Sequence, residues 1–429
     1  MTSPLWQPSP DAIQESQMVK FAKRAEVFFD NEEICYDKLW RWSVDNREQF
    51  WSQVWQQLDV IGEPGNQILA NDAMPGAEWF PHARLNFAEN LMRRRDDAEA
   101  IVFIAEDGSR RAISFSQLAE KVRCCRESLR RLGVGEGDRV AAYLPNIPEA
   151  IIGMLATSSL GAIWSSCSPD FGVAGVIDRF GQIEPKVLIA CTAYTYKGKV
   201  VDVRQRLGEI ISQLPSIEEV VVVSYANAVQ ADEFVRQGAL VPRVLFNEFL
   251  VAGASGELRF NRLGFNHPLY IMFSSGTTGK PKCIVHGQGG TLLQHRKEHA
   301  LHCDLKPNEK IFYFTTTGWM MWNWLVSALA GGATVVLFDG NPFYPSPAAM
   351  FDLIAREKIN VFGTSAKFID ACKKADVSPK ESDLTSLRCI LSTGSPLIPE
   401  SFDWVYQNLK PDLMLSSITG GTDLISCFA

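Results

Sequence analysis

At 429 residues the chain is longer than one compact core accommodates, so two or three units are expected. Hydrophobic residues make up 46% and charged residues 21%, an ordinary balance for a globular protein with a large core. The net charge of -7 provides no basic surface for nucleic acid. None of the ten cysteines forms a C-x-x-C pair, which argues against zinc ribbons and thioredoxin-like motifs. They read as scattered small hydrophobes in a reducing compartment.

The first eighteen residues have no basic start and no apolar stretch, so no signal peptide is expected and the location reads as cytoplasmic. Residues 1–85 read as a helical extension, with helical spacing over Lys20–Phe29 and Asp37–Leu58. A stripe of Trp40, Trp42, Trp51 and Trp55 follows that spacing, and a Gly/Pro-rich linker runs from Gly62 to Pro81. A strand–helix rhythm then begins, with strands predicted at 139–144, 162–166, 187–191 and 220–224 and helices at 149–160 and 173–183. Residues 225–266 are less regular and mark a candidate boundary. Further strands are predicted at 270–273, 311–314, 334–338, 361–364, 389–392 and 414–418. Apolar runs alternating with helices imply an α/β fold of mostly parallel sheets covered on both faces, with units at 86–265 and 266–429. Trp319–Phe338 is uncharged for twenty residues, long enough to span a bilayer, but Gly331 and Gly332 divide it into a buried helix, a turn and a strand. No membrane partner is expected.

The sharpest motif follows the strand at Tyr270. Ser274, Ser275, Gly276, Thr277, Thr278 and Gly279 lead into Lys280, Pro281 and Lys282. Glycines let backbone N–H groups turn towards an anion, hydroxyls add donors and two lysines add charge, which is chemistry for a polyphosphate. It is not a Walker A loop: two residues, not four, separate Gly276 from Gly279, and Pro281 follows the lysine.

On these residues the chain resembles the adenylate-forming superfamily, whose members wrap this loop around the β- and γ-phosphates of ATP. Cys283 stands where that superfamily usually has glycine. The resemblance implies an adenine-binding turn at Gly394, Ser395 and Pro396. It also implies that Thr422 contacts the α-phosphate and that Asp423 holds Mg2+. Aspartate replaces the family's glutamate there, which keeps a hard oxygen ligand on a shorter arm. Thr278, Lys280, Thr422 and Asp423 are the catalytic candidates.

Longer segments narrow the likeness. Trp79–Leu91 resembles acetyl- and acetoacetyl-CoA synthetases, while Ala162–Gly172, Gly318–Trp324, Leu391–Leu397 and Gly420–Asp423 look like acetoacetyl-CoA synthetases in particular. Acetyl-CoA synthetases have a pocket-closing tryptophan where this chain has Gly420, so room for a longer acid is expected. Trp319, Met320, Met321 and Trp322 would supply apolar wall, and Asn323 would donate to a 3-keto oxygen. Lys197 and Lys199 are candidates for the phosphates of coenzyme A. His295, His299 and His302 lie at helical spacing and read as a solvated helix face, since no carboxylate constellation supports a metal site.

The implied reaction is attack of the acetoacetate carboxylate on the α-phosphorus of ATP, followed by transfer of the acyl group to coenzyme A. In that family more chain follows the Thr422–Asp423 segment, with a ribose-binding aspartate and a mobile C-terminal domain carrying a lysine. A shortened, weakly active or inactive chain is therefore expected. The alternatives are a synthetase for acetate, propionate or butyrate, or a non-catalytic nucleotide-binding fragment.

Overall fold

The computed structural model describes residues 4–27, 35–226, 228–255, 257–274, 279–379 and 382–429. Within that range two seven-stranded sheets organise the chain. The first has Arg139–Tyr143, Ile163–Cys167, Val187–Cys191, Glu219–Val223 and Arg243–Leu245 in parallel, with Pro268–Ser274 parallel to Ile163–Cys167 and Lys282–Gly287 antiparallel at the edge. In the second, Met414–Ser417, Cys389–Thr393, Val361–Ser365, Lys310–Tyr313, Thr334–Asp339 and Glu99–Ala105 run parallel, and Arg110–Ser114 turns back antiparallel. The strands expected from Arg139 onward are found within about two residues, and the fold is α/β as read.

Strand rhythm does not reveal which sheet a strand joins. The chain begins in the second sheet, crosses to build the first, and returns to finish the second. Residue 265 therefore falls inside the run of the first sheet, whose last hairpin spans 268–287. Two strands of the second sheet, Glu99–Ala105 and Arg110–Ser114, and the helix Phe115–Arg131 precede the first strand expected; Ser114 and Gln117 form a capping box at that helix start. The stretch 225–266 is more ordered than its composition suggests, with helices Ala228–Arg236 and Phe246–Ala252 around the edge strand Arg243–Leu245.

Helix Pro148–Ser159 is buried along its whole length. A helix apolar all round carries no amphipathic signature because both of its faces meet core. In the N-terminal region the single helix expected over 37–58 is two, Tyr36–Asp45 and Arg47–Gln57. Asn46 leaves the helical backbone (φ -121°, ψ 52°) and its side-chain amide donates to Trp42 O at 3.2 Å, the local competition that makes Asn a helix breaker. Trp55 packs tilted against Phe80, which stacks on Phe265, fixing the extension to the first sheet's region. Trp40 points outward, 52% exposed, so the aromatic stripe is only partly inward.

The uncharged stretch resolves as expected: helix Met320–Ser327, a short 3-10 turn ending at Gly332, and strand Thr334–Asp339. Among the described residues no helix is long and apolar enough to cross a membrane.

Candidate active site

A cavity of about 550 Å³ opens beside the C-terminal ends of two neighbouring parallel strands of the second sheet, Cys389–Thr393 and Met414–Ser417. Strand carboxyl ends are where open α/β sheets place ligands. Thr393 and Gly394 form one wall, and Ser416, Ile418, Gly420, Gly421 and Thr422 another. The two walls are tied together: Ile418 N–H donates to Ser392 O at 2.7 Å, and Thr393 Oγ1 donates to Ile418 O at 3.0 Å. The apolar side is Trp319, Met320, Met321 and Trp324, from the start of helix Met320–Ser327.

Beyond Thr422 the chain turns back, pairing Gly420–Gly421 with Ser426–Cys427. This hairpin explains a glycine at 420: a Cβ there would lie 2.2 Å from Ser426 O and 2.6 Å from Cys427 Cα. The glycine that the sequence reading linked to pocket size is thus also demanded by backbone against backbone.

The hairpin is held by helix Gln288–Lys297 and the strand before it. The ring nitrogen His286 Nε2 lies 2.8 Å from Thr422 O. His295 bridges Ile425 O at 2.7 Å and Ser327 Oγ at 2.8 Å, and Gln294 Nε2 donates to Ser426 Oγ at 2.7 Å. These two histidines are buried and lowered in pKa, chiefly by loss of solvation, so they act as neutral brackets. The solvated-face reading of the histidine series therefore fails for His295 and His299, which are 0% and 1% exposed. Among the described residues no group of His, Cys, Asp or Glu is arranged to hold a metal ion.

Past Lys297 the helix loosens into a π-helical turn, Glu298–His302, a distortion common at functional sites. Both Lys297 and Glu298 line the cavity. The Glu298 carboxylate accepts from Trp324 Nε1 at 2.7 Å, Gln294 Nε2 at 3.0 Å and Ser426 Oγ. Burial opposes its charge, but Lys297 and the Ser426 and Trp324 donors hold the carboxyl below its usual pKa. Lys297 is lowered by burial, with Glu298 acting against that shift.

The sequence-predicted residues fall into four groups. Trp319, Met320, Gly394, Gly420 and Thr422 meet at the cavity. Trp322, Asn323, Ser395, Pro396 and Asp423 lie on the same segments without lining it. Trp322 points the other way, fully buried, and donates through Nε1 to Asn146 Oδ1 at 3.0 Å, because successive helical positions face different sides. Asn323 is also buried, with its Oδ1 unpaired. Ser275, Gly276, Thr277 and Thr278 lie outside the described residues. Their flanks are the paired Ser274 and Lys282, with Gly279 and Lys280 exposed; none of these four lines the cavity.

Lys197 and Lys199 lie exposed in a separate β-hairpin, Ala193–Tyr196 with Lys199–Asp202. Its tip is a built turn: Lys197 and Gly198 both take positive φ (54° and 71°), and their N–H groups donate to the Glu106 carboxylate at 2.8 and 2.6 Å. The residues that sequence reasoning missed are Lys297, Glu298 and Trp324. Trp324 sits one turn beyond Met320 and was legible by helical spacing, whereas the π-turn that begins at Glu298, just past Lys297, left no sequence signal.

The profile of the family described as AMP-binding enzyme matches residues 87–422. The chain belongs to the AMP-binding enzyme family. A second profile, acetyl-coenzyme A synthetase N-terminus, matches residues 36–91, the helices and short strands ahead of the sheets. Among AMP-binding relatives, the acetoacetyl-coenzyme A synthetase of Rhizobium meliloti (strain 1021) is 50% identical over 99% of this chain and 65% of its own length. The malonamoyl-CoA synthetase of Penicillium aethiopicum is 40% identical over 99% of this chain and 62% of its own length. The structure of acetoacetyl-CoA synthetase from Streptomyces lividans superposes with a TM-score of 0.91 at 40% identity, covering 100% of this chain and 66% of that one. The chain thus spans just under two thirds of the relatives it matches.

Proposed function

We propose that this chain supplies the nucleotide- and acid-binding part of an AMP-forming ligase that activates acetoacetate with ATP and passes the acyl group to coenzyme A. The observation that carries this reading is the single cavity where Gly394, Thr422 and the apolar wall Trp319–Met321 meet. Gly394 would seat adenine, Thr422 would contact the α-phosphate, and the apolar wall would take the acyl chain. Repulsion between a carboxylate and a triphosphate is the main obstacle, so positioning and charge neutralisation carry the catalysis. Residues 274–282 would meet the β- and γ-phosphates.

Mg2+ fits this donor set, since the ion is commonly held by one or two carboxylates together with substrate phosphates. Asp423 is an exposed carboxylate next to Thr422 and would serve as that ligand. Lys197 and Lys199, on the hairpin tip held by Glu106, would meet phosphates of coenzyme A. The ten unpaired cysteines support a reducing, cytoplasmic setting.

The similarity to a malonamoyl-CoA synthetase favours a second reading, another short acid with a carbonyl on its third carbon. Acid-dependent ATP–pyrophosphate exchange tests both. Exchange should be faster with acetoacetate than with acetate or butyrate; a preference for acetate would refute the assignment, and a preference for malonamate would select the second reading.

A further inference from the structure

Lys297 has no role in the mechanism above, yet it lines the same cavity as the apolar wall. Its neighbour Glu298 is fully engaged by Trp324, Gln294 and Ser426, so that carboxylate is both pinned and spent. Among the described residues no hydrogen bond or ion pair reaches Lys297 Nζ. A partly buried ammonium without a partner is costly, and a cavity that keeps one invites an acceptor from its ligand. The acids named in the relatives, acetoacetate and malonamate, share one acceptor that acetate and butyrate lack, the oxygen on the third carbon.

We infer that Lys297 is a specificity-determining residue, whose ammonium donates to the third-carbon carbonyl oxygen of the acid. This rests on the ligase reading and names how that site chooses its substrate. A hydrogen bond from a charged donor discriminates more strongly than pocket volume does, because the analogue without the carbonyl leaves a buried ammonium unpaired. Lys297 also lies next to the π-helical turn, where a widened backbone redirects side chains out of ordinary register.

The test uses two stable mimics, acetoacetyl-sulfamoyl-adenosine and butyryl-sulfamoyl-adenosine, titrated against the chain and its Lys297→Met variant by calorimetry. The unsubstituted chain should bind the acetoacetyl mimic at least about tenfold tighter, and Lys297→Met should erase that preference while leaving butyryl affinity within about twofold. Lys297→Gln, which retains a donor, should recover part of the preference. Equal loss for both mimics would overturn the inference and assign Lys297 to the shared carboxyl end. An unchanged preference in Lys297→Met would overturn it too. Failure of the unsubstituted chain to bind either mimic would instead refute the ligase reading beneath it.

Discussion

Gly420→Ala separates two explanations of one residue. If Gly420 matters only for pocket size, a single methyl trims the cavity and penalises longer acids while sparing acetate. The structure points elsewhere. The new Cβ would lie 2.2 Å from Ser426 O, and ordinary contact begins at 3.4 Å, so the opposing strand must retreat by about 1.2 Å. The atoms it meets are backbone, which cannot swing aside as a side chain would. Thr422 is two residues away in the same hairpin, its carbonyl held by His286. A displacement of about 1 Å in a positioning group can cost about a hundredfold in rate, and overpacking of this kind costs about 1–3 kcal/mol in stability. In acid-dependent ATP–pyrophosphate exchange, Gly420→Ala should therefore lower acetate, butyrate and acetoacetate rates together, by about a hundredfold. Retention of the acetate rate with selective loss of the longer acids would refute the backbone argument.

Further outcomes follow from the same structure. Replacing Thr277, Thr278 and Lys280 together with alanine should weaken ATP binding at least about tenfold by calorimetry, since charged and hydroxyl donors to phosphate are lost; unchanged affinity would remove the phosphate-loop assignment. Trp322→Phe should lower the melting temperature, because it strands the Asn146 Oδ1 partner, yet leave the order of acid preference unchanged. A shift in that preference would mean the indole reaches the substrate after all. The carboxyl of Asp339 is pushed up to about 7 from 3.8, mainly by burial, although Tyr225 OH donates to it at 2.8 Å. The folded state thus holds this proton more tightly than the unfolded chain, and stability is lost as pH rises from about 4 through 7. Asp339→Asn should raise the melting temperature more at pH 8 than at pH 5; an equal gain at both would contradict the shift.

Much of this architecture can be read from the chain. Helix–strand alternation locates the strands from Arg139 onward, and the glycine pair ending at Gly332 correctly divides an uncharged stretch. What alternation lacks is sheet membership: Glu99–Ala105 pairs with Thr334–Asp339, more than two hundred residues away, and no local pattern encodes that partner. The fully buried helix Pro148–Ser159 was found by its apolar run, whereas the break at Asn46 depends on one side-chain amide competing with the backbone. At the site, motif spacing singles out Gly394, Gly420 and Thr422, which line one cavity. It misjudges facing within 319–324, where Trp324 lines the cavity and Trp322 does not. Helical spacing alone cannot show that His295 is buried; tertiary packing against Ser327 and Ile425 does that.

One cavity should hold the whole acyl-adenylate. A crystal structure of the chain with acetoacetyl-sulfamoyl-adenosine addresses this directly. Adenine should lie against Gly394, the sulfamate beside Thr422, and the acetoacetyl tail between Met320, Trp324 and Lys297. Density for the mimic anywhere else, with this cavity left to solvent, would contradict it.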